Sequence, residues 1–116
     1  MILKRSNAIA VSKAGVDMWI YPSGPDIPQA AVVYQETARG HEEEFRHHTS
    51  AFVYYILEGA GEWVIEDEVF PVEAGDVVIV PPGKRFYFRG ALKQVCITAP
   101  AWTPEGEEFV RTVPLG

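Results

Sequence analysis

The side chains with the most chemical potential lie in one short stretch: His41, Glu42, Glu43, Glu44, His47 and His48. Imidazoles titrate near neutrality and ligate transition metals, and carboxylates add oxygen donors. An irregular metal site from His47, His41 and one carboxylate is therefore chemically reasonable. Neighbouring residues on a strand face opposite ways, so His47 and His48 share one ion only across a bulge. The competing reading is a solvated acidic loop, with His41 and His48 on the surface. For acid–base chemistry without a metal, His47 and Tyr54 are the candidate base and acid, the phenol acting as a positioned donor. Cys96 has no flanking base or helix N-terminus to lower its pKa, and reads as a core thiol.

The elements that must hold these residues are short strands. Ala8 to Val11, Val16 to Tyr21, Ala30 to Thr37, Phe52 to Leu57, Gly61 to Ile65, Val77 to Val80, Phe86 to Phe88 and Val95 to Thr98 are rich in β-branched and aromatic residues. Between them stand Pro22-Ser23-Gly24-Pro25, Glu58-Gly59-Ala60-Gly61, Ala74-Gly75-Asp76 and Pro81-Pro82-Gly83, which supply turn chemistry. Gly59 and Gly61 read as brackets of a tight reversal, and Val77 to Val80 as a strand buried on both faces. One helical turn is expected near Glu105 to Val110, after Pro104. Short strands at this spacing give an all-β sandwich or closed barrel.

The chain has 116 residues, 47% hydrophobic and 22% charged, a size that suits one domain over residues 1–116. Ten Lys and Arg against 16 Asp and Glu give −6, which argues against a nucleic-acid partner. No apolar run approaches the ~20 residues of a membrane helix, and the N-terminal apolar stretch ends at Ser12 and Lys13, unlike a secretion signal. One cysteine excludes an internal disulfide and a cysteine-based zinc site. A cytoplasmic location is the expectation.

Two stretches carry a resemblance. His47-His48-Thr49-Ser50-Ala51-Phe52-Val53-Tyr54-Tyr55-Ile56-Leu57-Glu58-Gly59-Ala60-Gly61, within residues 40–61, and Gly75 to Phe86, within residues 75–90, resemble the two motifs of the cupin superfamily. Gly75, Pro81 and Gly83 stand at the spacing of the second motif. The resemblance implies a jelly-roll barrel, the cupin-type double-stranded β-helix. Cupins that bind a metal usually use two His and a Glu from the first motif and a His from the second. Here the Glu position falls on Phe52 and the last His position on Phe86. The first pair falls on Phe45 and His47, or on Arg46 and His48, depending on the spacer. Three of four ligand positions therefore hold no ligand, and the resemblance implies a degenerate metal site with no cofactor.

Strand alternation then lines the inferred interior with Phe45, His47, Phe52, Tyr54, Phe86 and Phe88, and Gln94 and Cys96 add to the lining. Such a lining suits a small-molecule pocket, or simply fills the barrel. Some metal-free cupins, the deoxysugar epimerases, use a histidine and a tyrosine in acid–base roles. Lys84, Arg85, Arg89 and Lys93 either attract an anion or pair with nearby carboxylates. The preferred reading is a small-molecule-binding cupin with a pocket around His47. A metal-dependent isomerase or dioxygenase with an irregular ligand set, and a non-catalytic interaction module with a filled barrel, stay open, as does catalysis itself. The apolar outer residues Val53, Tyr55 and Leu57, with the N-terminal strands, lead us to expect a homodimer.

Overall fold

The computed structural model describes residues 1–22 and 25–115, so the Ser23-Gly24 part of the first expected turn lies outside the described residues. Nine strands form among the described residues: β1 (Ile9–Lys13), β2 (Val16–Ile20), β3 (Ala31–Thr37), β4 (Glu43–His47), β5 (Ala51–Ile65), β6 (Glu68–Glu73), β7 (Val77–Val80), β8 (Phe86–Ala99) and β9 (Glu107–Thr112). The architecture is all-β, as the strand spacing implies. Its frame is one long antiparallel ribbon, β5 against β8, running from Ala51↔Ala99 to Ile65↔Phe86. At one end β3 joins β8 and β7 joins β5; at the other β4 joins β8 and β6 joins β5. The ribbon thus belongs to both halves of a curled sheet, which face each other across a shared core.

Three expectations are corrected here. Gly59 and Gly61 do not bracket a reversal, because β5 runs straight through them with a register shift at Ile56/Glu58. Their role is close approach: a Cβ at Gly59 would collide with the Ala91 carbonyl, and one at Gly61 with that of Arg89. Bare backbone lets β5 and β8 bend together where the sheet folds over. The strand at Val77 to Val80 is buried on one face only, with Val77 55% and Ile79 63% exposed while Val78 and Val80 are inside. A jelly roll leaves the outer side of this sheet uncovered by its own chain. The helical turn stops at the 3-10 segment Pro104–Gly106, and Glu107 to Thr112 pairs with β4 instead. Cross-strand pairing outweighs the weak local preference of an isolated turn.

The core gathers Val16, Phe45, Phe52, Tyr54, Ile56, Trp63, Val78, Val80, Phe86, Phe88, Leu92 and Cys96 between the two halves. The cations after the second motif are largely paired: Arg85 with Glu44, Glu66 and Asp67, Arg89 with Glu62, and Lys93 with Glu58. No helix is long and apolar enough to cross a membrane among the described residues.

Candidate active site

Strands β4, β5 and β8 bring the expected interior residues together. Ring centroids of Phe45 and Phe86 are 4.6 Å apart, Phe52 and Phe86 5.5 Å, and Phe45 and Phe52 5.7 Å. Phe52 and Phe86, and Phe45 under one spacing of the first motif, stand where the resemblance would place metal donors, and the three rings pack on one another. Phenyl groups offer an ion no lone pair, so the residues present do not fit a metal there. No group of three or more His, Cys, Asp or Glu converges elsewhere among the described residues. Deeper in, Tyr54 lies 5.1 Å from Trp63, and Trp63 stacks on Phe88 at 4.6 Å. This part of the lining is a close-packed aromatic core.

His47 is 2% exposed, and both its nitrogens are committed. Its Nε2–H donates to the Thr103 carbonyl at 2.9 Å, and its Nδ1 accepts from the Ser50 amide at 2.9 Å. Gly106 lies against the ring with no room for a side chain. An imidazole held on both sides has no lone pair left for a base or a ligand. Its work is to pin the 48–50 turn and the segment before β9. His47 is thus a buried strut, and its ring offers no open face to a pocket.

Tyr54 is 1% exposed and stands opposite Cys96 in the β5–β8 register. Burial, reinforced by Cys96, raises the Tyr54 phenol well above its ordinary range. Burial likewise pushes the Cys96 thiol up to about 12, which removes it as a nucleophile. Gln94 donates from Nε2 to Gln35 Oε1 at 2.8 Å, while its own Oε1 is buried with no partner among the described residues.

The free imidazole is His41. It enters on the crossing from β3 to β4, its amide bonded to the Phe88 carbonyl at 2.8 Å. The ring is half-buried against Phe45 at 4.9 Å and Phe88 at 5.6 Å. Its Nδ1 is 2.6 Å from the Glu43 carbonyl oxygen, which can only accept, so Nδ1 carries the proton. The Glu43 amide, 3.3 Å from the same nitrogen, is then a bystander. Nε2 keeps its lone pair and bonds to nothing among the described residues. Burial lowers the His41 pKa; the Glu43 carbonyl bond and the Glu43 and Glu107 charges act against this, and Lys13 acts with it.

Glu107 stands on β9 at the register position opposite His47, and its charge acts on His41. Its carboxylate takes the Trp102 indole N–H at 3.3 Å on one oxygen and stands 3.6 Å from Lys13 Nζ on the other. The sequence singled out His41 only as an extra metal ligand, and it missed Glu107, Trp102, Lys13 and Gln35. Recognising β9 as a strand would have exposed Glu107, since alternation places it on the side of His47. A separate cavity of about 540 Å³ lies near Asp17, Glu36, Glu58 and Lys93, and contains none of these groups.

A family model described as the cupin domain matches residues 33–97, more than half of the chain. The chain is a cupin. Among solved structures, this cupin is similar to Pac13, a nucleoside dehydratase, at 30% identity and a TM-score of 0.94, covering 99% of this chain and 94% of that one. A histidine-to-glutamine variant of Streptomyces Pac13 with uridine matches at 29% identity and a TM-score of 0.92, covering 97% and 92% of the two chains. An uncharacterized protein of Methanocaldococcus jannaschii is 33% identical over 69 residues, which are 56% of this cupin and 55% of that protein. The cupin thus spans about half the length of that curated relative.

Proposed function

We propose that this cupin binds a nucleoside, or a closely similar ring-bearing sugar, at the mouth beside His41, and removes a proton from it without a resident metal. The observation that carries the reading is the His41 tautomer: Nδ1–H is fixed on the Glu43 carbonyl and Nε2 is left without a partner among the described residues. That is how a general base is prepared. The similarity to a nucleoside dehydratase, seen with uridine in a variant, supports the ligand class.

The chemistry is a β-elimination. His41 Nε2 takes a proton from a carbon that a neighbouring carbonyl acidifies, since an imidazole is too weak a base for other C–H bonds. The C–H electron pair becomes the C=C bond, and the C–O bond on the next carbon breaks. The departing hydroxide takes the proton back from the His41 imidazolium and leaves as water. Glu107 stabilises the imidazolium while it lasts, and Phe45 and Phe88 keep water from its flank. Calorimetric titration with uridine tests the binding. Saturable binding by the wild type, weakened in His41→Gln, is expected; no binding at millimolar uridine refutes the reading. That outcome would favour a non-catalytic module with a filled barrel, the reading to which the packed Phe45, Phe52 and Phe86 rings point.

We also propose that two copies pair through the outer face of β3, β8, β5 and β7. Val32, Ile97, Tyr55, Leu57, Val77 and Ile79 are exposed there, and Val53 joins Ile79 to Ile97 across the register. A contiguous apolar face of this kind is rare on a monomer and self-complementary under a two-fold axis. The one free thiol suits a cytoplasmic location.

A further inference from the structure

The segment from Pro100 to Gly106 crosses from the end of β8 to β9 and is tied down along its length. Ser50 Oγ donates to the Pro100 carbonyl at 2.8 Å, and the Ala101 amide to the Pro28 carbonyl at 3.0 Å. The Trp102 amide donates to Thr98 Oγ1 at 3.0 Å. His47 holds the Thr103 carbonyl, and the His48 amide holds that of Gly106 at 2.8 Å. A strap fastened this often has little freedom left to lose on binding a ligand.

On it sits an indole that is 42% exposed and yet fixed. The Trp102 ring is held by its N–H on Glu107 and lies 6.4 Å from the His47 ring. The other tryptophans are placed differently. Trp63 is buried on Phe88, and Trp19 packs on Tyr34 in the β2–β3 part of the sheet. Trp102 is therefore the indole that presents an open surface beside the Glu107 carboxylate, which also stands 3.6 Å from Lys13 Nζ and whose charge acts on His41. Burial in the core is not what orients this ring; the strap and Glu107 do so.

Resting on the nucleoside reading above, we infer that Trp102 is the specificity-determining residue for the ligand's planar ring: the base stacks on the exposed indole while the sugar reaches His41. Stacking needs a flat, immobile, partly exposed aromatic surface and reads no base edge, so it selects ring-bearing ligands over bare sugars.

Titration of tryptophan fluorescence with uridine, alongside calorimetry with uridine and with methyl β-ribofuranoside, tests this. Uridine should quench the wild-type fluorescence saturably. Trp102→Phe should abolish that quench and keep uridine affinity within about three-fold, because a phenyl ring still stacks. Trp102→Ala should weaken uridine by about ten-fold or more and leave the riboside unchanged. Uridine affinity in Trp102→Ala within about two-fold of wild type overturns the inference and leaves the nucleoside reading standing. A quench that persists in Trp102→Phe overturns it too, whether or not the alanine variant folds. No uridine binding to the wild type overturns both.

Discussion

The His41 imidazole donates its Nδ1 proton to the Glu43 carbonyl at 2.6 Å, and this one bond decides which nitrogen is left for chemistry. Burial lowers the His41 pKa below its ordinary 6.5. Between that value and the lowered one, the unfolded chain binds a proton that the folded chain does not. Stability therefore falls as pH falls through the window just below 6.5. His41→Gln should flatten that part of a melting-temperature-against-pH curve. In the wild type, proton-transfer rates should hold to a lower pH than a free imidazole allows. Long-range proton–nitrogen NMR should find His41 protonated on Nδ1; a proton resting on Nε2 contradicts the assignment.

His47 should prove a strut. His47→Ala removes the bonds to Thr103 and Ser50 and opens a void beside Gly106. The expected loss is about 2–4 kcal/mol of stability in urea unfolding. A loss under about 0.5 kcal/mol would mean that these bonds contribute almost nothing.

The aromatic cluster at Phe45, Phe52 and Phe86 should hold no ion. Elemental analysis of the tag-free protein should find no stoichiometric iron, manganese, nickel, copper or zinc. One metal per chain, lost in His47→Ala, would instead mean that the His47 ring leaves its partners to ligate.

The fold was legible in the sequence because its signals are local. Gly75, Pro81 and Gly83 mark a turn and a strand end wherever they stand, and period-two alternation put Phe52 and Tyr54 on one face. What stayed hidden depended on distant partners. Gly59 has its place because the Ala91 carbonyl approaches it, and Val77 is exposed because no layer covers that sheet. At the site, the spacing of the first motif and strand alternation favoured His47 over His41. The deciding contacts, Ser50 and Thr103 on His47 and a free Nε2 on His41, come from tertiary geometry that spacing does not encode.

Sedimentation equilibrium at tens of micromolar should give a dimer, since pairing through an interface of standard size, about 800 Å² per partner, persists at that concentration. Val77→Lys with Ile79→Lys should give a monomer of unchanged fold. A wild-type monomer contradicts the pairing.

The most direct test of His41 as the base at a nucleoside site is its own ring signal during a uridine titration. Uridine should shift the His41 ring proton and nitrogen resonances saturably, moving Nε2 most, while the buried His47 ring moves little. Uridine that binds elsewhere, or millimolar uridine that leaves the His41 resonances unmoved, would contradict it.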